Sequence, residues 1–419
     1  MLITAWTASR AVLLLCVFRV LVVPGPDVTT DVHVIYQGWY QVLRTGTFPL
    51  DDVTWQYPPG AALAILSPAL LPFLGYAAAF FALCLAADAL VTWLLVREGR
   101  RTGRRRLGAW AWTTGLPLLG PTGYARYDLM VTAVAVAALL LPRARGPLVG
   151  LGALLKVWPA LLLAGVRGRR TPAAAAATGA ALLLGLVLAM PGALSFLTFQ
   201  RDRGTEVESL GAMVFHVARW HGWSGRVQLN YGSVEFLGPY VPLVSRAALA
   251  LTAVALGWLV YWRLRARVFG EHTVADAALT AVLLFTTTSR VLSPQYLVWL
   301  VGLAAVCLTL RSTRMERPAR LVLLAAPLTL LEFPVWFSGV VHGDWPGVTA
   351  LFLRNALLVA ATLTACRALW RDTVPGARAA PGQPNSSRRY ARQDAVNSRS
   401  SVPSTDAKAA AGEDRDTAA

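Results

Sequence analysis

Lysine is almost missing from this chain of 419 residues: Lys156 and Lys408 are the two present, preceded by Leu155 and Ala407. A phosphate-cradling P-loop needs a Gly-Lys pair, so the chain cannot energise transport with such a site of its own. Cysteine is scarce as well. Cys16, Cys84, Cys307 and Cys366 stand singly inside apolar blocks, which suits packing thiols and excludes a CxxC metal or redox pair. Charged residues make up 15% of the chain against 56% hydrophobic, where a soluble domain carries about 25% charge. With a mean hydropathy of +0.51, an ordinary soluble enzyme is ruled out. Acid is the scarcer sign, 22 Asp and Glu against 39 Lys and Arg, a formal +17. In a soluble protein that balance would suggest nucleic acid. Here the arginines cluster in short loops between apolar blocks, and the positive-inside bias accounts for them without a nucleic-acid partner.

What is present is a succession of apolar blocks of about membrane-spanning length, which predicts an all-α polytopic membrane protein embedded in a lipid bilayer. Block 2–24 contains Arg10 and Arg19 with no small-residue cleavage site after it, and reads as a retained first span. Block 75–96 is followed by Arg97, Arg100, Arg101, Arg104, Arg105 and Arg106, which assigns that loop to the cytoplasm. The N-terminus is then inside and the first outer loop, 25–74, outside; its apolar part, 61–74, is broken by Pro68 and Pro72 and is expected at the interface. Residues 107–120 go out and 129–141 return. Segment 146–166 has arginines at both ends and is expected as a hairpin of two short helices turning near Lys156 and Pro159. Block 173–190 exits to a second outer loop, 191–236, and blocks 237–262, 273–288, 296–310, 319–338 and 348–370 complete about ten crossings. A transmembrane domain, 1–370, is thus followed by a tail, 371–419, whose Ser, Pro, Ala and mixed charge predict a disordered cytoplasmic segment. Its Asp414-Arg415-Asp416 resembles the DxD of metal-dependent nucleotide-sugar enzymes, a chance match in such a tail.

The unusual polar residues fall in segments assigned to the outer side, so a site there needs a donor already in or across the membrane. The first loop holds Asp27, Asp31, Asp51 and Asp52 among Tyr36, Trp39, Tyr40, Trp55 and Tyr57. Asp31 lies about one helical turn beyond the first span, where a partly desolvated carboxylate can accept a hydroxyl proton. His33, two residues on, would point the same way on an extended loop and could orient it. Arg126, Arg203 and Arg290 are candidates for a phosphate, because the guanidinium fork matches its oxygens. Arg126 has an alternative salt bridge to Asp128, and Arg203 alternative pairs with Asp202, Glu206 and Glu208. Lys156, an ionisable residue amid apolar neighbours, is a functional candidate by position; it reaches a phosphate across a cavity or pairs with a carboxylate, Asp88 or Glu332 being possible. His216 and His221 are five apart, off one helical face, with no further zinc ligands in support.

Several motifs occur together in order: Asp31, Tyr36, Gly46, the run Trp55-Gln56-Tyr57-Pro58-Pro59-Gly60, Arg126-Tyr127-Asp128, Leu155-Lys156-Val157-Trp158-Pro159, and Arg203-Gly204-Thr205-Glu206-Val207-Glu208-Ser209. Over roughly residues 5–310 this pattern resembles the polyprenol-phosphate-mannose-dependent mannosyltransferases of glycosyltransferase family 87. The resemblance implies the multi-spanning C-type glycosyltransferase fold and Asp31 as catalytic base. It also implies inverting transfer of a hexose, mannose first, from a polyprenyl phosphate to a glycolipid or glycan hydroxyl, with no metal and no cofactor. One base and cations for the leaving phosphate suit a transfer, which does not need the carboxylate pair of a hydrolase. Arg290, Arg203, Arg126 and Lys156 then become candidates for the donor phosphate. Tyr36, Tyr57, Asp128, Glu206, Glu208, Ser209, Gln295 and Tyr296 become candidates for substrate binding. The competing reading is a transporter or lipid flippase. Sparse midplane polarity and the absence of an evident internal repeat weigh against it. A reporter fused after residue 56 should read as outside and one at 104 as inside; the reverse pattern would move the site to the cytoplasm.

Overall fold

The computed structural model describes residues 1–199 and 204–376; Arg203 and the tail from 377, with Asp414-Arg415-Asp416, lie outside the described residues. Helix α1 (Leu2–Val17) leads into a π-helical turn, Asp31–Tyr36, which runs on as α2 (Gln37–Leu43). Next come α3 (Ala61–Leu66), α4 (Tyr76–Gly99), α5 (Leu107–Gly115), α6 (Asp128–Leu140), α7 (Arg145–Leu155) and α8 (Arg170–Ala189). The second polar region carries α9 (Phe196–Phe199), β1 (Thr205–Glu206), α10 (Met213–Trp220), β2 (Arg226–Asn230) and β3 (Ser233–Leu237). The chain ends in α11 (Val241–Arg265), α12 (Thr273–Thr288), α13 (Tyr296–Thr309), α14 (Glu316–Leu330), α15 (Phe337–His342) and α16 (Trp345–Thr373).

The helical membrane architecture holds, with two departures. Five helices are long and apolar enough to cross a membrane: Tyr76–Gly99, Arg170–Ala189, Val241–Arg265, Glu316–Val335 and Trp345–Thr373. Other apolar helices are shorter. The 13 residues of α6, 16 of α12 and 14 of α13 reach only about 20–24 Å, against the ~30 Å of hydrocarbon. The structure therefore supports a membrane protein without supporting a count of ten crossings. The second departure is a small antiparallel sheet of order β1-β3-β2 in the second polar region. Strands β2 and β3 form a hairpin, Asn230 opposite Ser233. Its two central residues, Tyr231 (φ 47) and Gly232 (φ 76), give the tight turn that suits twisted strands.

Helices α12 and α13 are buried almost throughout, as the centre of a bundle must be. Helix α8 is apolar but buries only Ala175; lipid is the natural cover for such a surface. It packs on α7 through small residues. A Cβ added at Gly146 would stand 2.7 Å from the Ala174 Cβ, and one at Gly150 would strike the Ala175 carbonyl, so Gly146-x-x-x-Gly150 permits the close approach typical of membrane helices. At the other end of α7, a Cβ at Gly60 would lie 2.6 Å from the Leu154 carbonyl oxygen; the glycine that closes the Tyr57-Pro-Pro-Gly run lets the first loop dock there.

One buried polar cluster ties the N-terminal helices together. Arg10 pairs with Asp88 (Nε to Oδ2 2.7 Å) and donates to the Thr113 carbonyl at 2.6 Å. Asp88 also accepts from Trp112 Nε1 at 2.6 Å and from the Tyr124 hydroxyl at 2.7 Å. Asp88 is thus committed to Arg10 and is not the partner of Lys156. Arg10→Met would strand the Asp88 carboxylate, and we expect a loss of about 3–5 kcal/mol, read as a lower Tm in detergent.

Candidate active site

A cavity of about 670 Å³ lies between the first polar loop, the end of α7, the β2–β3 hairpin and the segment joining α12 to α13. It forms where short helices stop. Helix α7 ends at Leu155, Lys156 turns extended (φ −157, ψ 137), and a 3₁₀ turn, Trp158–Leu163, packs back. Helix α12 stops at Thr288 and α13 restarts at Tyr296. Lys156, Val157, Trp158, Ser289, Arg290, Gln295 and Tyr296 thereby all face one space, together with Asp31, Tyr36, Tyr57 and Arg126. The hairpin tip meets the first loop over it: a Cβ at Gly232 would touch Thr54 at 3.4 Å.

The first-loop acids separate by their partners. Asp27 accepts the Thr29 N–H at 2.8 Å and pairs with Arg19 at 2.8 Å. Asp52 accepts from Trp39 Nε1 at 2.7 Å and from the Thr54 N–H at 2.8 Å. Burial would raise the Asp52 carboxyl, yet these hydrogen bonds more than offset it and hold it low. Asp51 is exposed. Of the four, Asp31 lines the cavity.

Asp31 is not served by His33, and Arg126 does not pair with Asp128. The expected extended loop is a π-helical turn, which separates residues two apart, so His33 is exposed and stands edge-on to Phe81 at 6.1 Å. Arg126 Nη2 instead lies 3.0 Å from Asp31 Oδ2. The Tyr36 hydroxyl, beside this pair, is buried without a hydrogen-bond partner among the described residues, and burial pushes its pKa well up; it stays a neutral donor.

Lys156 pairs with Asp128 (Nζ to Oδ1 2.6 Å) within a cage of rings, with Tyr57, Tyr127, Tyr296 and Trp299 centred 5.0–5.8 Å from the ammonium. Asp128 Oδ1 also accepts from Trp299 Nε1 at 2.6 Å. Asp128 gives no surface to the cavity, being buried beneath the lysine it neutralises. Glu332, the other partner considered for Lys156, pairs with Arg354 at 2.8 Å.

The second-loop motif is mostly structural. Glu206 faces the cavity, but its Oε2 accepts the Leu292 N–H at 2.6 Å and its Oε1 the Ser293 hydroxyl at 2.8 Å, which pins the segment carrying Arg290. Glu208 also faces the cavity and pairs with Arg354 at 3.0 Å; burial, then the neighbouring Glu332, push its carboxyl well above the usual range. Ser209 is buried away from the cavity and accepts the Ala212 N–H at 3.2 Å. Arg290 Nη1 approaches Ser245 Oγ at 3.4 Å. Two side chains went unnoticed in the sequence. Arg354 could have been flagged as an arginine within an apolar helix. Trp299 lies one turn beyond Tyr296 on the same face of α13.

The apolar part of the wall comes from α11 (Leu249), α12 (Phe285), α9 (Leu197) and Val157. Charges gathered at helix ends beside an apolar wall can hold an amphiphile whose polar head carries a phosphate. Residues 55–294 match the profile of glycosyltransferase family 87, more than half of the chain. The chain belongs to glycosyltransferase family 87. It is therefore a membrane glycosyltransferase, acting on a sugar donor and an acceptor, and the transporter reading falls away. No curated protein matches the chain at a significant level. The matched region of this family 87 protein takes in Tyr57, Arg126, Lys156 and Arg290; Asp31 and Tyr36 lie well before its start, and Gln295 and Tyr296 directly after its end.

His216 supports the wall from behind. Its ring accepts from Arg219 Nη2 at 2.9 Å and donates from Nε2 to the Val207 carbonyl at 2.8 Å, which requires the neutral ring. Burial, with Arg219 adding to it, pushes its pKa down to about 4. The unfolded chain takes up this proton near 6.5, so the stability His216 contributes is full above about pH 6.5 and is lost as pH falls towards 4. We expect the Tm to fall between pH 7 and 5, by about 2 kcal/mol of stability, and His216→Gln to flatten that fall. An unchanged slope in the variant would contradict it.

Proposed function

We propose that this family 87 enzyme transfers a hexose, mannose in the first instance, from a polyprenyl phosphate to a hydroxyl of an envelope glycolipid or glycan. Transfer occurs on the outer face of the cell membrane, with both termini in the cytoplasm and the C-type fold of about ten crossings. The observation that carries the proposal is a cavity lined by Asp31, one of whose oxygens is held by Arg126, together with Lys156, Arg290 and the apolar surface of Val157, Leu197, Leu249 and Phe285. A lipid-linked donor has that same division between an anionic head and an apolar tail.

Asp31 takes the proton of the acceptor hydroxyl as its oxygen attacks C1 of the sugar. The C1–O bond to phosphate breaks with its electron pair on the phosphate oxygen, so the configuration at C1 inverts. Lys156 and Arg290 stabilise the departing polyprenyl phosphate. Lys156 acts as a point charge kept in place by Asp128 and its rings, and Arg290 as a fork on the segment pinned by Glu206. Tyr36, Tyr57, Gln295 and Tyr296 supply hydroxyl, amide and ring contacts to the sugar, and Glu208 a carboxyl at the far wall.

Membranes containing the protein should incorporate label from polyprenyl-phosphate-mannose into glycolipid, and Asp31→Asn should lower turnover by about 10²–10⁴-fold. Undiminished turnover in the variant would remove Asp31 as base. Label accepted only from a polyprenyl-phosphate pentose, such as arabinofuranose, would replace the sugar and leave the mechanism standing.

A further inference from the structure

By sequence Arg126 is a candidate ligand for the donor phosphate, but its surroundings argue for another task. The side chain is 9% exposed, against 31% for Asp31. Its Nη1 donates to the Val28 carbonyl and the Ala125 carbonyl, both at 2.8 Å. Its Nη2 holds Asp31 Oδ2. Val28 lies three residues before Asp31, about one turn, so a single guanidinium grips both the backbone leading into the π-helical turn and the carboxylate projecting from it. A phosphate on Arg126 would have to displace a carboxylate and compete with two main-chain acceptors, all in a buried setting where an abandoned partner is expensive.

We propose that Arg126 is a positioning residue for Asp31 and not a phosphate ligand. By holding Oδ2 it fixes the carboxylate plane and leaves Oδ1, which has no hydrogen-bond partner among the described residues, for the acceptor's proton. The donor phosphate then falls to Arg290, with Lys156 adding its charge from its place beside Asp128. The acceptor proton goes to Asp31 Oδ1, and no proton or electron passes through Arg126. A general base contributes only when held within hydrogen-bond reach of the proton, and among the described residues Arg126 is the ion-pair partner of the Asp31 side chain. The inference rests on Asp31 being the base.

The test is a double-mutant cycle on the full chain in membranes, with Asp31→Asn, Arg126→Gln, Arg126→Lys and the Asp31→Asn/Arg126→Gln pair. Turnover and KM are read with polyprenyl-phosphate-mannose, and affinity with sugar-free polyprenyl phosphate by tryptophan quenching. Arg126→Gln should lower kcat by about a hundredfold while KM and polyprenyl-phosphate affinity change less than about twofold. Arg126→Lys, which retains the charge, should recover part of kcat. In the Asp31→Asn background the added Arg126→Gln should cost less than about twofold, because effects exerted through one group are not additive. A tenfold rise in KM or loss of polyprenyl-phosphate binding in Arg126→Gln, or multiplicative losses in the double variant, would overturn the assignment. Full turnover in Asp31→Asn would instead sink the base itself, so the two failures are distinct. Should turnover prove undetectable with this donor, the quenching measurement alone decides whether Arg126 binds the phosphate.

Discussion

A charge buried in a membrane protein has to be neutralised where it stands, and Lys156 meets that demand with Asp128 and four aromatic rings. The arrangement ties three elements into one corner. Asp128 begins α6, Lys156 directly follows α7, and Trp299, sharing the same carboxylate oxygen, lies near the start of α13. None of these helices can slide past the corner without stranding a charge, at a cost of several kcal/mol. Because they stop or start there, the bundle leaves a space instead of closing, and the candidate site residues line it.

Around that corner the polar loops act as brackets. Glu206 uses both carboxylate oxygens to fasten the chain that bears Arg290. Arg354, inside a long apolar helix, bridges Glu208 and Glu332 and so anchors the second loop to α16. His216 binds β1's end to Arg219 while uncharged. On the opposite wall, Arg126 performs the same service for the turn that displays Asp31. Conspicuous charges thus divide into those fully engaged in holding loops and those that present a group to the cavity. The division follows burial and partner count, not residue type.

Much of this was legible beforehand. Membrane residence followed from apolar block length, and Asp31 stood out by its position just past the first span. Lys156 was conspicuous as the one lysine among apolar neighbours, and the chain reversal after it was expected because arginines flank both ends of 146–166. Partners were another matter. Asp27 and Asp52 each stand in Asp-Val-Thr, where Asp31 stands in Asp-Val-His, and the structure shows that Thr29 and Thr54 occupy those two carboxylates. The nearest acid to Arg126, Asp128, was the natural guess for its pair, but α6 winds Asp128 inward to Lys156 while the first loop folds back to offer Asp31. Ser209 carries a family motif yet faces a backbone N–H. The hairpin in the second loop did have a signal, the polar-apolar alternation of Arg226–Asn230 followed by Tyr231-Gly232, and it was overlooked inside a polar loop.

Composition and block length decided the solvent, because some twenty successive apolar residues can satisfy their backbone in hydrocarbon only as a helix; motif order decided the family. The tertiary structure decided which acid faces the cavity, which cation holds it, and which helices fall short enough to leave that cavity open. Those outcomes depend on ion pairs and ring contacts between residues far apart in the chain, whose energies are set by distances of a few ångströms, and no local pattern encodes them.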